Sequence, residues 1–265
     1  MKVRMYNVGF GDCFCLRDRK KSLLVDFGTN NSRIEGHPRR EIFDVIISDL
    51  STIKSKNLLL THFHMDHLSG LLYMMKKKDI SVDFGKIYLP DVFSKKEMSR
   101  TLVLLLLADL LKESGLPSRQ VSLFALVDAL LENKQNVELL SRGKLFENKY
   151  QALWPDTDVI RKETDEVYNR ICEDGKFKEV MDVLLEFAEK LRLIVWSMTA
   201  EGNKPAETVE KETDLTASEL TEQPEVRQKI IRAYVYEREF RRIKALPDFK
   251  KLLAWLNENQ INLRQ

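Results

Sequence analysis

Histidine is scarce in this 265-residue chain: there are four, and none lies beyond position 67. Any chemistry that depends on imidazole is confined to the N-terminal part. Cysteine is scarcer still. Cys13, Cys15 and Cys172 are odd in number, and the first two lie two apart on a strand-like stretch, where they share a face. No disulfide framework follows, and the chain is expected to be reduced and cytoplasmic. Long apolar runs are missing as well. The stretch Leu102–Leu107 is far too short to cross a bilayer, and Met1-Lys2-Val3-Arg4 leads straight into a strand pattern with no signal-peptide apolar core. No membrane association is expected. Charge of one sign is also lacking overall: the net charge is +2, so the whole chain presents no general case for a polyanion.

Charge is uneven along the chain, however. Residues 1–100 carry 18 Lys/Arg against 12 Asp/Glu, and residues 226–265 carry 10 against 4. Between them, residues 200–225 carry 2 against 8. A basic N-terminal part suits an anionic substrate, and a solvated surface accounts for it about as well.

Alternation and punctuation give the order of elements. Lys2–Asn7 and Cys13–Arg17 read as strands joined by the turn Gly9-Phe10-Gly11-Asp12. Ser22–Phe27 reads as a buried strand closed by Gly28, and Thr29–Arg40 as a polar loop. A helix is expected over Glu41–Thr52, a strand over Asn57–Leu60, a helix over Leu68–Lys77 and a strand over Lys86–Leu89. Strand, loop, helix, strand is the grammar of a layered α/β or α+β domain, whose ligands sit on loops at strand ends. Beyond Ser94 the pattern turns helical, over Lys95–Ser114 and Ser118–Asn133, with Gly115 and Pro117 between. Strands return at Val137–Leu140 and Tyr150–Trp154. Helices follow over Thr157–Cys172 and Phe177–Met198. Residues 200–225 read as an acidic disordered linker. A basic helix is expected over Arg227–Lys244 and a last helix over Pro247–Asn259.

Three of the four histidines fall within Thr61-His62-Phe63-His64-Met65-Asp66-His67. Side chains two apart on an extended segment point the same way, so His62 and His64 can reach one ion. Asp66 and His67 follow after a turn and can reach a second ion beside it. Imidazole and carboxylate suit zinc first, and also manganese or iron. Two adjacent metals can clamp the oxygens of a displacement at phosphorus, or polarise a carbonyl. His37, alone in the polar loop, reads as a surface residue. Asp91, after the Tyr88-Leu89-Pro90 strand, reads as a turn residue near the same edge.

The stretch Thr61–Gly70 resembles the [S/T]-H-x-H-x-D-H-x-x-G signature of the metallo-β-lactamase fold superfamily. Asn7–Phe14 and Val25-Asp26-Phe27-Gly28 resemble the two strands that precede it. The Gly-x-Gly-Asp turn and Leu153-Trp154-Pro155 are similar to the branch related to the hydrolase domain of ComEC, the DNA-uptake protein. The resemblance implies an MBL-fold metallo-hydrolase with an αββα sandwich. His62 and His64 would hold a first metal and Asp66 and His67 a second, so one or two divalent ions. Asp66 would also be the catalytic residue that orients or deprotonates the attacking water. Asp26 would stand behind the ligands and orient a ligand histidine. The second half of that fold normally adds a Gly-Asp strand and a late histidine, and this sequence has neither.

The expected organisation is a first-half metallo-β-lactamase-like domain over 1–155, with a helical insertion at about 94–134. A helical segment over 156–199, the linker over 200–225 and a basic helical segment over 226–265 complete it. The expected function is a metallo-hydrolase that cleaves a phosphodiester, in nucleic acid or a nucleotide, with a metal-activated water. The alternative is a non-catalytic or split member that serves as an interaction module or needs a protein partner to supply the missing half. Arg238, Arg241 and Arg242 on the basic helix are candidate anion contacts, although a solvated helix face explains them more simply.

Overall fold

A computed structural model describes residues 1–18, 21–77, 83–113, 123–173, 175–200, 238–259 and 261. The chain divides into two compact units, one formed by residues 1–91 and 108–156, the other chiefly by 92–107 and 157–263.

The first unit is built on one six-stranded mixed sheet. Strands β1 (Lys2–Met5), β2 (Phe14–Asp18) and β3 (Lys21–Val25) form an antiparallel meander. β3 then pairs in parallel with β6 (Ser55–Leu59), which pairs with β7 (Ile87–Pro90) and through it with β8 (Val137–Leu140). Parallel neighbours need crossover connections, and helices supply them: α1 (Arg39–Ser51) between β3 and β6, and α2 (Met65–Lys76) between β6 and β7. The polar loop ahead of α1 is more ordered than its composition suggests. Arg33–Ile34 and His37–Pro38 pair as the short strands β4 and β5, with Glu35 and Gly36 at φ 51° and 86° making the tight turn.

Alternation along the strands sorts the two sheet faces. Cys15, Leu24 and Leu58 are fully buried on one face. Arg17 projects on that side too, and with Arg4 it reaches Asp49 of α1 at 2.9 and 2.8 Å, while Tyr6 donates its hydroxyl hydrogen to the same carboxylate. That fixes α1 on this face. Its core stripe is Phe43, Ile46, Ile47 and Leu50, at the helical spacing visible in the sequence. Each such side chain contributes about 1.5–3 kcal/mol when fully buried. Helix α4 (Leu123–Glu132) packs against α2, and the Asp109 carboxylate accepts from the Phe124 N–H in its first turn at 3.1 Å.

The opposite face is where an αββα sandwich would place a second sheet. Here a short hairpin lies on it: β9 (Leu145–Phe146) and β10 (Tyr150–Gln151). Phe146 and Ala152 pack with Leu23, Tyr88 and Leu140 of the sheet, and Leu16, Val25, Leu59 and Tyr150 border them. The alternation predicts a strand over Tyr150–Trp154 and none at Leu145; the observed strand stops at Gln151 and pairs with Leu145–Phe146. The hairpin has no local sequence signature, because Glu147 and Asn148, at φ 53° and 58°, turn the chain where a glycine is the usual signal. Glu147 also latches the hairpin: one of its oxygens accepts from Tyr88 Oη at 2.6 Å and from the Asn57 side-chain amide. Replacing Glu147 with alanine is expected to leave both donors without that acceptor and to cost about 1–3 kcal/mol in denaturant unfolding.

The second unit is helical. The segment Val92–Leu107 includes a 3-10 turn (Lys96–Met98) and the first part of α3 (Ser99–Glu113). It packs with α5 (Thr157–Cys172), where Thr101 and Thr164 hydroxyls meet at 3.0 Å and Arg100 pairs with Asp165 at 2.8 Å. Helix α6 (Lys178–Ser197) buries Val180, Leu184, Phe187, Leu191 and Val195. The buried guanidinium of Arg192 donates to the carbonyls of Phe93 and Ser94 and pairs with Glu189 at 3.1 Å. Helices α7 (Arg238–Ala245) and α8 (Pro247–Glu258) follow, with Phe249, Leu252, Leu253 and Leu256 of α8 buried. The expected acidic linker lies, beyond Ala200, outside the described residues, as does the expected basic helix from Arg227 to residue 237. No helix among the described residues is long and apolar enough to cross a membrane.

Candidate metal centre

All four parallel strands end at the same edge of the sheet, and the histidine cluster stands there. β6 delivers Thr61, and α2 begins at Met65, so Asp66 and His67 lie in the first helical turn rather than ahead of it. The helix starts three residues ahead of the expected Leu68, because the polar motif hides the apolar stripe. A carboxylate in the first turn is favoured by the free N–H groups there.

The close packing behind the motif explains its glycines. A Cβ on Gly28 would lie 2.6 Å from the Leu68 nitrogen, and one on Gly11 would lie 2.2 Å from the Gly28 oxygen. Gly70 leaves room for the Phe27 ring, which a Cβ there would approach to 2.5 Å. Backbone bonds then stitch the three segments: Phe27 N–H donates to the His67 carbonyl at 2.7 Å, Gly70 N–H to the Phe27 carbonyl at 2.8 Å, and Asp12 N–H to the Asp66 carbonyl at 3.2 Å.

Asp26 organises the side chains. It is buried at the end of β3, with φ 53°. This left-handed conformation is uncommon outside glycine, though Asp and Asn adopt it more readily than most. Its Oδ1 accepts from the Thr61 N–H at 2.8 Å. Its Oδ2 accepts from the Thr61 hydroxyl at 2.7 Å and from His67 Nδ1 at 2.9 Å. The Thr61 hydroxyl has spent its one hydrogen on Asp26, so at 2.9 Å it accepts from His62 Nδ1. One carboxylate thereby sets which nitrogen carries the hydrogen in each neutral imidazole, and leaves Nε2 as the nitrogen for a ligand.

The rings converge. His62 and His67 have centroids 3.7 Å apart, and His62 and His64 4.7 Å apart. His67 Nε2 lies 3.8 Å from an oxygen of Asp66. Ligand atoms of His62, Asp66 and His67 lie within 4.8 Å of one another. Burial, with the neighbouring His67 and His64, pushes the His62 pKa down to about 4, which keeps this imidazole neutral near pH 7. Burial alone would lower His67 too, but its bond to Asp26 and the nearby Asp66 and Asp12 outweigh burial and raise it. Neutral imidazole beside carboxylate is the donor set that borderline divalent cations take, so the residues fit a metal.

Of the residues singled out in the sequence, His62, Asp66 and His67 come together, His64 sits against His62, and Asp26 stands behind them. Asp91 is buried at the end of β7, where its N–H donates to the Leu140 carbonyl at 2.9 Å. His37 is on the surface beside Glu41. On α7 the Arg242 guanidinium lies 3.9 Å from Glu186, and the side chains of Arg238 and Arg241 are outside the described residues. One residue had no role assigned from sequence. Asp12 brings a carboxylate oxygen to 3.6 Å from His67 Nδ1, and Asp12, Asp26 and His67 form a second group of close ligand atoms. The signal was the Gly-x-Gly-Asp turn, which carries Asp12 back over the start of α2.

Residues 6–90 match the Metallo-beta-lactamase superfamily model, so this stretch is a metallo-β-lactamase superfamily domain. A stretch of 77 residues is 32% identical to the protein named Endoribonuclease YSH1 from Mycosarcoma maydis. That stretch is 29% of this chain and 8% of the fungal protein, so the similarity spans a small part of that relative. No solved structure matches the chain.

Proposed function

We propose that this chain is a metal-dependent hydrolase of phosphodiesters in nucleic acid or nucleotides. The observation that carries the reading is the hydrogen-bond chain from Asp26, which holds the His62 and His67 rings, with their ligand atoms close to Asp66. His62 and His64, with Asp66 and His67, would hold one or two divalent ions, zinc first, with manganese or iron also suited to these donors. A cation held there would supply Lewis-acid activation of a water and neutralise charge at phosphorus. Asp66, about one-third exposed, is free to take a proton from a water on its open side. Asp26 keeps both imidazoles aimed while that happens. The similarity to a protein named as an endoribonuclease supports a nucleic-acid substrate, as does the resemblance of the Gly9–Asp12 turn and of Leu153-Trp154-Pro155 to the ComEC-like branch.

His64→Ala is expected to abolish metal-dependent turnover of an activated phosphodiester such as bis(p-nitrophenyl) phosphate. Turnover equal to that of the parent contradicts the reading.

A second reading is that another polypeptide completes the site. It is favoured by Met1, Val3 and Met5, which stand 61–73% exposed, Val3 and Met5 opposite Leu16 and Phe14 on the sheet face that carries the hairpin. Exposed apolar rows on an edge strand suit a protein partner. A chain that binds metal stoichiometrically yet turns over no phosphodiester favours this reading over the first.

A further inference from the structure

Phe10 is the most exposed large apolar side chain of the described residues, at 81%. A ring so exposed is usually on a loose loop, but this one is on a pinned turn. The Phe10 N–H donates to Asn31 Oδ1 at 3.1 Å. Its carbonyl accepts from the Asn30 N–H at 2.8 Å and from the Thr29 hydroxyl at 3.2 Å. Gly9, at φ 69°, fits the left-handed turn, and Gly11 is pressed against the backbone of Gly28, Thr29 and Asp66. Two residues on, Asp12 donates its N–H to Asp66 and lies beside His67. The ring is thus carried on a rigid mount at the rim of the candidate metal centre.

The segment that follows these pins is basic. Residues 33–40 carry Arg33, Arg39 and Arg40, all exposed, against a single acid, Glu35. Glu35 is engaged by the Asn7 side chain at 2.8 Å. Ile34 is buried and anchors the β4–β5 turn, so the arginines too project from a fixed base. Arg33 stands on β4, and Arg39 and Arg40 open α1, where the Arg39 N–H donates to the Ser32 carbonyl at 3.0 Å.

A fixed, uncovered ring held by a segment that runs on into exposed arginines suits single-stranded nucleic acid, with bases stacked on the ring and phosphates on the cations. We propose that the Phe10 turn and the segment 33–40, from β4 to the first residues of α1, form a lip that binds single-stranded nucleic acid: Phe10 stacks on an unpaired base, and Arg33, Arg39 and Arg40 hold the flanking phosphates. The proposal deepens the phosphodiester reading above and rests on it for the substrate class. Duplex offers no free base face at its flank, so unpaired strands are preferred.

The test is equilibrium binding of a fluorescent oligothymidine to the full chain in chelator, where no metal-dependent turnover occurs. Phe10→Ala is expected to weaken binding by roughly 5- to 150-fold, the range of one base–aromatic stack. Phe10→Trp is expected to bind as well or better, and Phe10→Leu to fall like alanine. An abasic oligomer of equal length is expected to bind parent and Phe10→Ala alike. Arg39→Ala is expected to reduce the salt dependence of binding by about one phosphate contact. Because Phe10 is exposed, thermal unfolding of its variants should match the parent. Unchanged affinity in Phe10→Ala, equal affinity for duplex, or no salt-dependent binding by the parent overturns the lip. Phe10-dependent binding without any metal-dependent cleavage leaves the lip standing and removes the hydrolase reading. Cleavage with binding indifferent to Phe10 does the reverse.

Discussion

Asp26→Asn is expected to weaken metal binding by about 10- to 100-fold, the usual cost of losing the group behind a ligand histidine. The argument is one of donors and acceptors. In the native chain three donors converge on the Asp26 carboxylate: the Thr61 N–H, the Thr61 hydroxyl and His67 Nδ1–H. An asparagine has one oxygen. If it faces Thr61 N–H, its amide hydrogens oppose the Thr61 hydroxyl and His67; if it is flipped, they oppose the Thr61 N–H. Either way His67 or Thr61 must turn, and His62 follows because its Nδ1–H rests on the Thr61 hydroxyl. Asparagine is the useful substitution because it tolerates the left-handed backbone at this position, so the fold should persist while the tautomers are lost. Chelator competition on purified protein measures the affinity. An affinity equal to that of the parent would mean that Asp26 is only a strand-end turn residue.

Gly28→Ala is expected to be, with Gly11→Ala, among the most damaging single methyls in the first unit. Its added carbon would lie 2.6–2.7 Å from the Leu68 nitrogen and from the carbonyl carbons of Asp66 and His67. These are backbone atoms of a helix, and they cannot rotate aside as a side chain would. Either the end of β3 or the first turn of α2 must move, at a cost of at least about 3 kcal/mol. Any molecule that still folds should bind metal poorly, because the displaced turn carries Asp66 and His67. Gly143→Ala is the matched control. Nothing lies within 4 Å of the new carbon there, and only the left-handed φ of 89° is penalised, at about 1–2 kcal/mol. Denaturant unfolding of the two variants separates crowding from backbone strain.

These two residues show why so much of the site was legible in the sequence. His62, Asp66 and His67 are close in sequence, and a strand end followed by a helical turn can hardly keep them apart. Asp26 is 35 or more residues from its partners, yet a carboxylate closing an apolar strand was still a visible signal. The sheet was legible for the same reason: β3, β6, β7 and β8 each carry a short apolar run, although β6 starts at Ser55, two residues before the expected Asn57, because its first half is polar. What escaped notice depends on distant pairing. The β9–β10 hairpin is fixed by Glu147 meeting Tyr88 and Asn57, 59 and 90 residues away, and no local pattern announces that. Asp12 and Phe10 acquire meaning only when the Gly9–Asp12 turn folds back over α2. The division of α3 between the two units is likewise invisible along a uniformly leucine-rich helix.

The central claim is that residues 62–67, oriented by Asp26, form a metal site. Metal content per chain, by elemental mass spectrometry on purified protein, tests it most directly. The account predicts one or two equivalents of zinc, manganese or iron in the parent. No bound metal in the parent, even after loading with each of these ions, would contradict it.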